Sequence, residues 1–128
     1  MTFAKRCFLF AGIAGLLVLL PQYFLEEQIG RNYPPPISHA HLFYGFVGVG
    51  LAWQVAFLVI ASDPVRFRPM MIPAVLEKLS FAIPTAVLFM KGRSPAVVFG
   101  AGMFDLFLGV LFVVSYLRTA PGRLTPQK

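Results

Sequence analysis

Charge is scarce in this chain. Lysine, arginine, aspartate and glutamate make up 12% of its 128 residues, about half the share of an ordinary soluble domain, and only five of those side chains are acidic. With 58% hydrophobic residues and a mean hydropathy of +0.76, so little charge excludes a water-soluble globule and leaves an integral membrane protein. The single cysteine, Cys7, excludes an intramolecular disulfide and a metal-thiolate cluster within one chain. The P-loop, the dinucleotide-binding glycine pattern, HExxH and GxSxG are all missing, so the sequence assigns no catalytic residue and an enzyme is the less favoured class. Histidine is limited to His39 and His41. Haem or metal ligation in a bundle needs ligands on facing helices, so neither a metal nor a cofactor is expected.

What is present is a succession of four apolar runs, at about residues 8–25, 39–61, 71–90 and 95–117. A spanning helix needs about 20 mostly apolar residues. The length therefore accommodates four helices without a separate soluble domain, and residues 1–128 are read as one all-α domain, a four-transmembrane-helix bundle. The first run continues through Pro21 into Tyr23 and Phe24 without a small-residue cleavage site, which fits an uncleaved span better than a signal peptide. Between the first two runs, Tyr33-Pro34-Pro35-Pro36 predicts an extended loop, and Ser38 stands where an N-cap belongs. Asp63-Pro64 and Pro69 punctuate the second connection. Gly92 suits a helix C-terminus, and Ser94-Pro95 an N-cap followed by proline at the first helical position.

The formal net charge of +6 suggests nucleic acid only in a soluble chain. Here the basic residues sit mostly between apolar runs, where they orient helices, and no nucleic-acid partner is expected. Lys5, Arg6, Arg66, Arg68, Arg118, Arg123 and Lys128 fall on one side, against Arg31, Lys91 and Arg93 on the other. That excess predicts both termini in the cytoplasm of a multi-pass inner-membrane protein.

The third run carries an adjacent acid and base, Glu77 and Lys78. A charge within a span costs about 2.5 to 3.5 kcal/mol on insertion scales, so these two need partners inside the bundle. At about 1.5 Å of rise per residue, Gln54 and Asp105 fall at similar depth. Gln54, Glu77, Lys78 and Asp105 are thus expected to share one buried polar layer. Lys78 can neutralise one carboxylate, and the other must be protonated, bonded to Gln54 or a hydroxyl, or reached by water. Adjacent helical residues point about 100° apart, so a Lys78–Asp105 pair is the more natural one.

Small residues form the second pattern. Gly45, Gly48 and Ala52 in the second run, and Gly100, Gly102 and Gly109 in the fourth, are read as helix-packing positions, more numerous than four helices need for internal contacts. An association with a second copy or a larger membrane complex follows. His39, His41 and Tyr44 are read as residues of the membrane interface.

Tyr44-Gly45, Trp53-Gln54, Leu76-Glu77-Lys78 and Asp105 before Gly109-Val110-Leu111-Phe112 give the chain a layout that resembles the DoxX-like small four-span bacterial membrane proteins. The resemblance implies four helices in a bacterial membrane and transfers no active-site role. Two functions remain open: a non-enzymatic structural or accessory component whose polar layer fixes helix docking, and a proton-coupled carrier in which Glu77 or Asp105 titrates. A quinone-associated or other membrane-enzyme subunit is a third.

Overall fold

Backbone in hydrocarbon must satisfy its own hydrogen bonds, and helices do so within one segment. The computed structural model describes residues 2–121 of the chain. It contains α1 (Phe3–Leu19), α2 (Glu26–Asn32), α3 (Ala40–Ser62), α4 (Met71–Met90) and α5 (Ala96–Arg118), with no strand among the described residues. Four helical stretches are long and apolar enough to cross a membrane: Phe3–Phe24, Ala40–Ser62, Arg68–Met90 and Ala96–Arg118.

The boundaries differ from the sequence expectation in instructive ways. The first span starts at Phe3 because the Thr2 hydroxyl accepts from the Lys5 amide at 3.2 Å, and Lys5 and Arg6 become part of the helix. As expected, the span continues through Pro21, which enters at the start of a 3₁₀ turn, Leu20–Phe24, where its missing N–H costs little. The polar connection from Glu26 to Ser38, expected as a loop, holds the two-turn α2, with Glu26 and Glu27 in its first turn and Arg31 in its last, each placed to complement the helix dipole, while Tyr33-Pro34-Pro35-Pro36 is non-helical as expected. Ser38 is not the cap of α3. That position falls to His39, and the Ser38 hydroxyl lies 3.0 Å from His39 Nδ1. Pro95, rather than Ser94, caps α5. Gly92 closes α4 as expected, with φ +70° and an Arg93 amide that reaches back to the Leu88 carbonyl at 2.8 Å. Arg123 and Lys128 of the basic tail lie outside the described residues.

The four long helices form a ring in chain order, but its seams are unequal. Extensive packing joins α1 to α3 and α4 to α5; α1 also meets α5, whereas α3 and α4 scarcely touch. Glycine explains the first seam. A methyl group at Gly12 would meet the Gln54 carbonyl oxygen at 2.9 Å and Leu58 Cδ2 at 2.7 Å, and one at Gly15 would overlap the Gln54 side chain. On α5, Gly102 faces the Thr85 hydroxyl and Gly109 faces Cβ of Lys78 at 3.4 Å, so both allow α4 to approach. Between α1 and α5, the Phe8 and Phe112 rings stack with centroids 4.1 Å apart, and Phe57 of α3 packs edge-on against Phe112 at 5.0 Å. All three are fully buried and form the centre of the apolar core.

The seams make unequal demands on glycine. Replacing Gly12 with Leu should lower stability in detergent by about 1–3 kcal/mol, because the added atoms meet a rigid carbonyl. Gly100→Leu, where an added Cβ meets nothing within 4 Å, should leave the thermal midpoint near that of the parent.

Candidate functional site

Lys78 is the buried cation around which the polar residues gather. It is 4% exposed, and its Nζ donates to Asp105 Oδ1 across the α4–α5 seam at 3.3 Å. The neighbouring Glu77 closes a second ion pair at 3.6 Å. The expected Lys78–Asp105 pair is therefore present, but Lys78 is shared with Glu77 rather than reserved for one partner. Under it lies the Phe57 ring, with Nζ 5.0 Å from the centroid, a distance at which the ring face attracts the ammonium. Gly109 lets the aliphatic stem of Lys78 lie against α5. The fourth expected member of the layer sits elsewhere. Gln54, 2% exposed, turns toward Gly15 of α1 and donates to the carbonyl of Gly50 in its own helix at 2.8 Å. Its Oε1 has no hydrogen-bond partner, and neither has Glu77 Oε2 beyond the ion pair.

The poorly sealed side of the ring is a cleft of about 820 Å³. Its α3 wall carries Gly45, Phe46, Val49 and Trp53, its α4 wall Leu76, Glu77, Ser80 and Phe81, and His41 stands at one end. Phe46 and Phe81 meet across it with centroids 5.9 Å apart. Glu77 and Gly45, both expected as site residues, stand on facing walls of this cleft. Only the weak α3–α4 contact brings them there, and nothing in the spacing of either run announces it. Pro84 adds a further polar group: it has no N–H, so the carbonyl of Ser80 loses the donor that a helix normally supplies four residues on.

The remaining expected positions divide by seam. Gly48 faces the Tyr23 hydroxyl, and Gly102 and Gly109 are buried between α4 and α5, whereas Gly45, Ala52 and Gly100 face outward, and an added Cβ at Gly45 or Gly100 would meet nothing within 4 Å. At the start of α3 the His39 and His41 rings lie 6.1 Å apart and exposed. Tyr44 donates to Glu26 Oε2 at 2.7 Å and stacks on Tyr23 at 5.9 Å, a tie between α2 and the long helices that the sequence did not reveal. The opposite end is held by Arg68, whose Nε donates to the Tyr116 carbonyl at 3.0 Å while its guanidinium covers the Tyr116 ring at 3.6 Å. No group of three or more metal-ligating side chains occurs among the described residues.

No family model, curated protein or solved structure matches this chain.

The chemistry open to the site follows from its charge count. One ammonium faces two carboxylates, so the group carries a surplus negative charge unless a proton or another cation joins it. Lys78→Met, which strips both acids of their partner, should destabilise the bundle by about 3–5 kcal/mol. Asp105→Asn should cost less because Glu77 stays beside Lys78. Adding Asp105→Asn and Glu77→Gln to Lys78→Met should recover much of the loss in detergent unfolding measurements, as expected for coupled groups.

Proposed function

We propose that this chain is a non-enzymatic integral membrane protein that receives a membrane-dissolved small molecule in the cleft between α3 and α4, as a carrier or binding protein. The observation that carries this reading is the unequal ring: three seams are packed, and the fourth is open with the side chain of Glu77 in its wall. On that open side Trp53, Phe46 and Phe81 line a cleft instead of a packed helix seam, which leaves part of their surface available to an apolar molecule. Lys78 serves as the fixed element, holding Asp105 and docking α4 on α5, while Glu77 is the member of the group free to exchange partners.

A second reading, an accessory component that associates with a second copy or a larger complex, is favoured by Ala52 and Gly100, small and outward-facing on α3 and α5. Small residues on a lipid-facing surface allow close helix approach. The layout shared with DoxX-like proteins is compatible with both. We place both termini on the cytoplasmic side of a bacterial inner membrane: Lys5, Arg6, Arg66, Arg68 and Arg118 collect at one end of the bundle, where Arg118 lies over the Phe3 ring at 4.8 Å.

Native mass spectrometry of protein extracted gently from membranes separates the two. The binding reading expects a small-molecule mass adduct at one per chain, lost in Gly45→Phe, which fills the cleft without meeting another atom at Cβ. An oligomer without an adduct, dissociated by Gly100→Leu, would favour the accessory reading instead.

A further inference from the structure

The chemistry of the cleft wall selects among membrane-dissolved molecules, and we infer that its ligand class is a lipophilic monocation, an amphiphile with one ammonium-like head and an apolar body. This rests on the cleft being a binding site. Three independent features point to a cation. First, Lys78 at 3.3 Å from Asp105 and 3.6 Å from Glu77 leaves two carboxylates with one positive partner. A single additional positive charge balances the group, whereas an anion would add to the surplus. Second, Ser80, whose carbonyl Pro84 leaves without its usual helical donor, lines the same wall one turn beyond Glu77 and can offer an acceptor to an N–H donor. The Ser80 hydroxyl is already committed as donor to the Glu77 carbonyl at 2.7 Å. Third, the rest of the wall is aromatic and aliphatic, suited to an apolar body, and includes Trp53, the ring type that attracts a cation most strongly. Neutral lipid chains would fill the apolar part but leave the surplus charge to a proton and the carbonyl without a donor.

Entry is lateral. Gly45 has open space at its Cβ position, and Ser80, one turn from Glu77, is exposed, so the cleft opens toward the side of the bundle. A cationic amphiphile in a bilayer already carries its apolar body at that depth, and moving its head to Glu77 exchanges interfacial water for a carboxylate and a carbonyl.

Trp53 is the only tryptophan in the chain and lines the cleft, so its fluorescence reports occupancy directly. In phosphatidylcholine nanodiscs, a long-chain alkylammonium brominated at its far end should quench Trp53 saturably, whereas the matching brominated alcohol should give only the linear quenching of bulk partitioning. Glu77→Gln should weaken the ammonium isotherm about tenfold or more. Gly45→Phe, which does not touch the charged group, should abolish saturation. Were both probes to saturate alike in the parent, a comparison that needs no variant, the cleft would remain a binding site and the cationic class would be overturned. If neither saturates, the binding reading falls together with the class.

Discussion

A lysine ammonium withdrawn from water in the middle of a membrane protein is tolerated only if its environment answers it fully. Lys78 meets this demand with Asp105 on α5, Glu77 beside it and the Phe57 ring beneath, and the rest of the bundle is arranged to make that possible. Gly109 lets α5 come close enough for Asp105 to reach Nζ, Gly102 keeps the same seam close two turns away at Thr85, and Phe57 is held in place by Phe112 and Phe8. The ion pairs thus specify the register of α4 on α5, and the aromatic core specifies how α1 and α3 approach that pair.

Having two acids for one base has a consequence on the other side of α4. If the α3–α4 seam were packed like its neighbours, Glu77 would be enclosed with a charge that no protein group balances. The open cleft relieves that conflict by leaving the Glu77 side unsealed by protein. The cluster is divided accordingly: Lys78 and Asp105 bridge α4 and α5, while Glu77 lines the cleft. The small residues divide similarly, since Gly12, Gly15, Gly102 and Gly109 serve internal seams and Ala52 and Gly100 look outward.

Much of the fold is legible in the sequence, because length and hydropathy dictate spans almost independently of tertiary detail. The apolar runs, the Gly92 helix end and the Lys78–Asp105 pair all follow from local chemistry and helical rise. Other features depend on which helix meets which, and there the sequence is mute. Gln54 matches Asp105 in depth, but depth alone cannot say that it turns toward Gly15 on α1. The short α2 was hidden by the three prolines that follow it, although Glu26, Glu27 and Arg31 carry the dipole-complementing pattern. The cleft itself leaves no mark in either run, since a lipid-facing wall and a cleft-facing wall are both apolar, and only the weak α3–α4 contact distinguishes them.

The open seam is most directly tested by electron paramagnetic resonance of nitroxides placed singly at Gly45→Cys and Ser80→Cys in a Cys7→Ala background, in lipid nanodiscs without added ligand. Collision with dissolved oxygen should be nearly as frequent at these two positions as at a label on the outward-facing Val97, which is 56% exposed. Oxygen accessibility at both positions as low as at a label replacing Ala82, which is 2% exposed, would mean that α3 and α4 are sealed in the bilayer, and would contradict a lateral binding cleft.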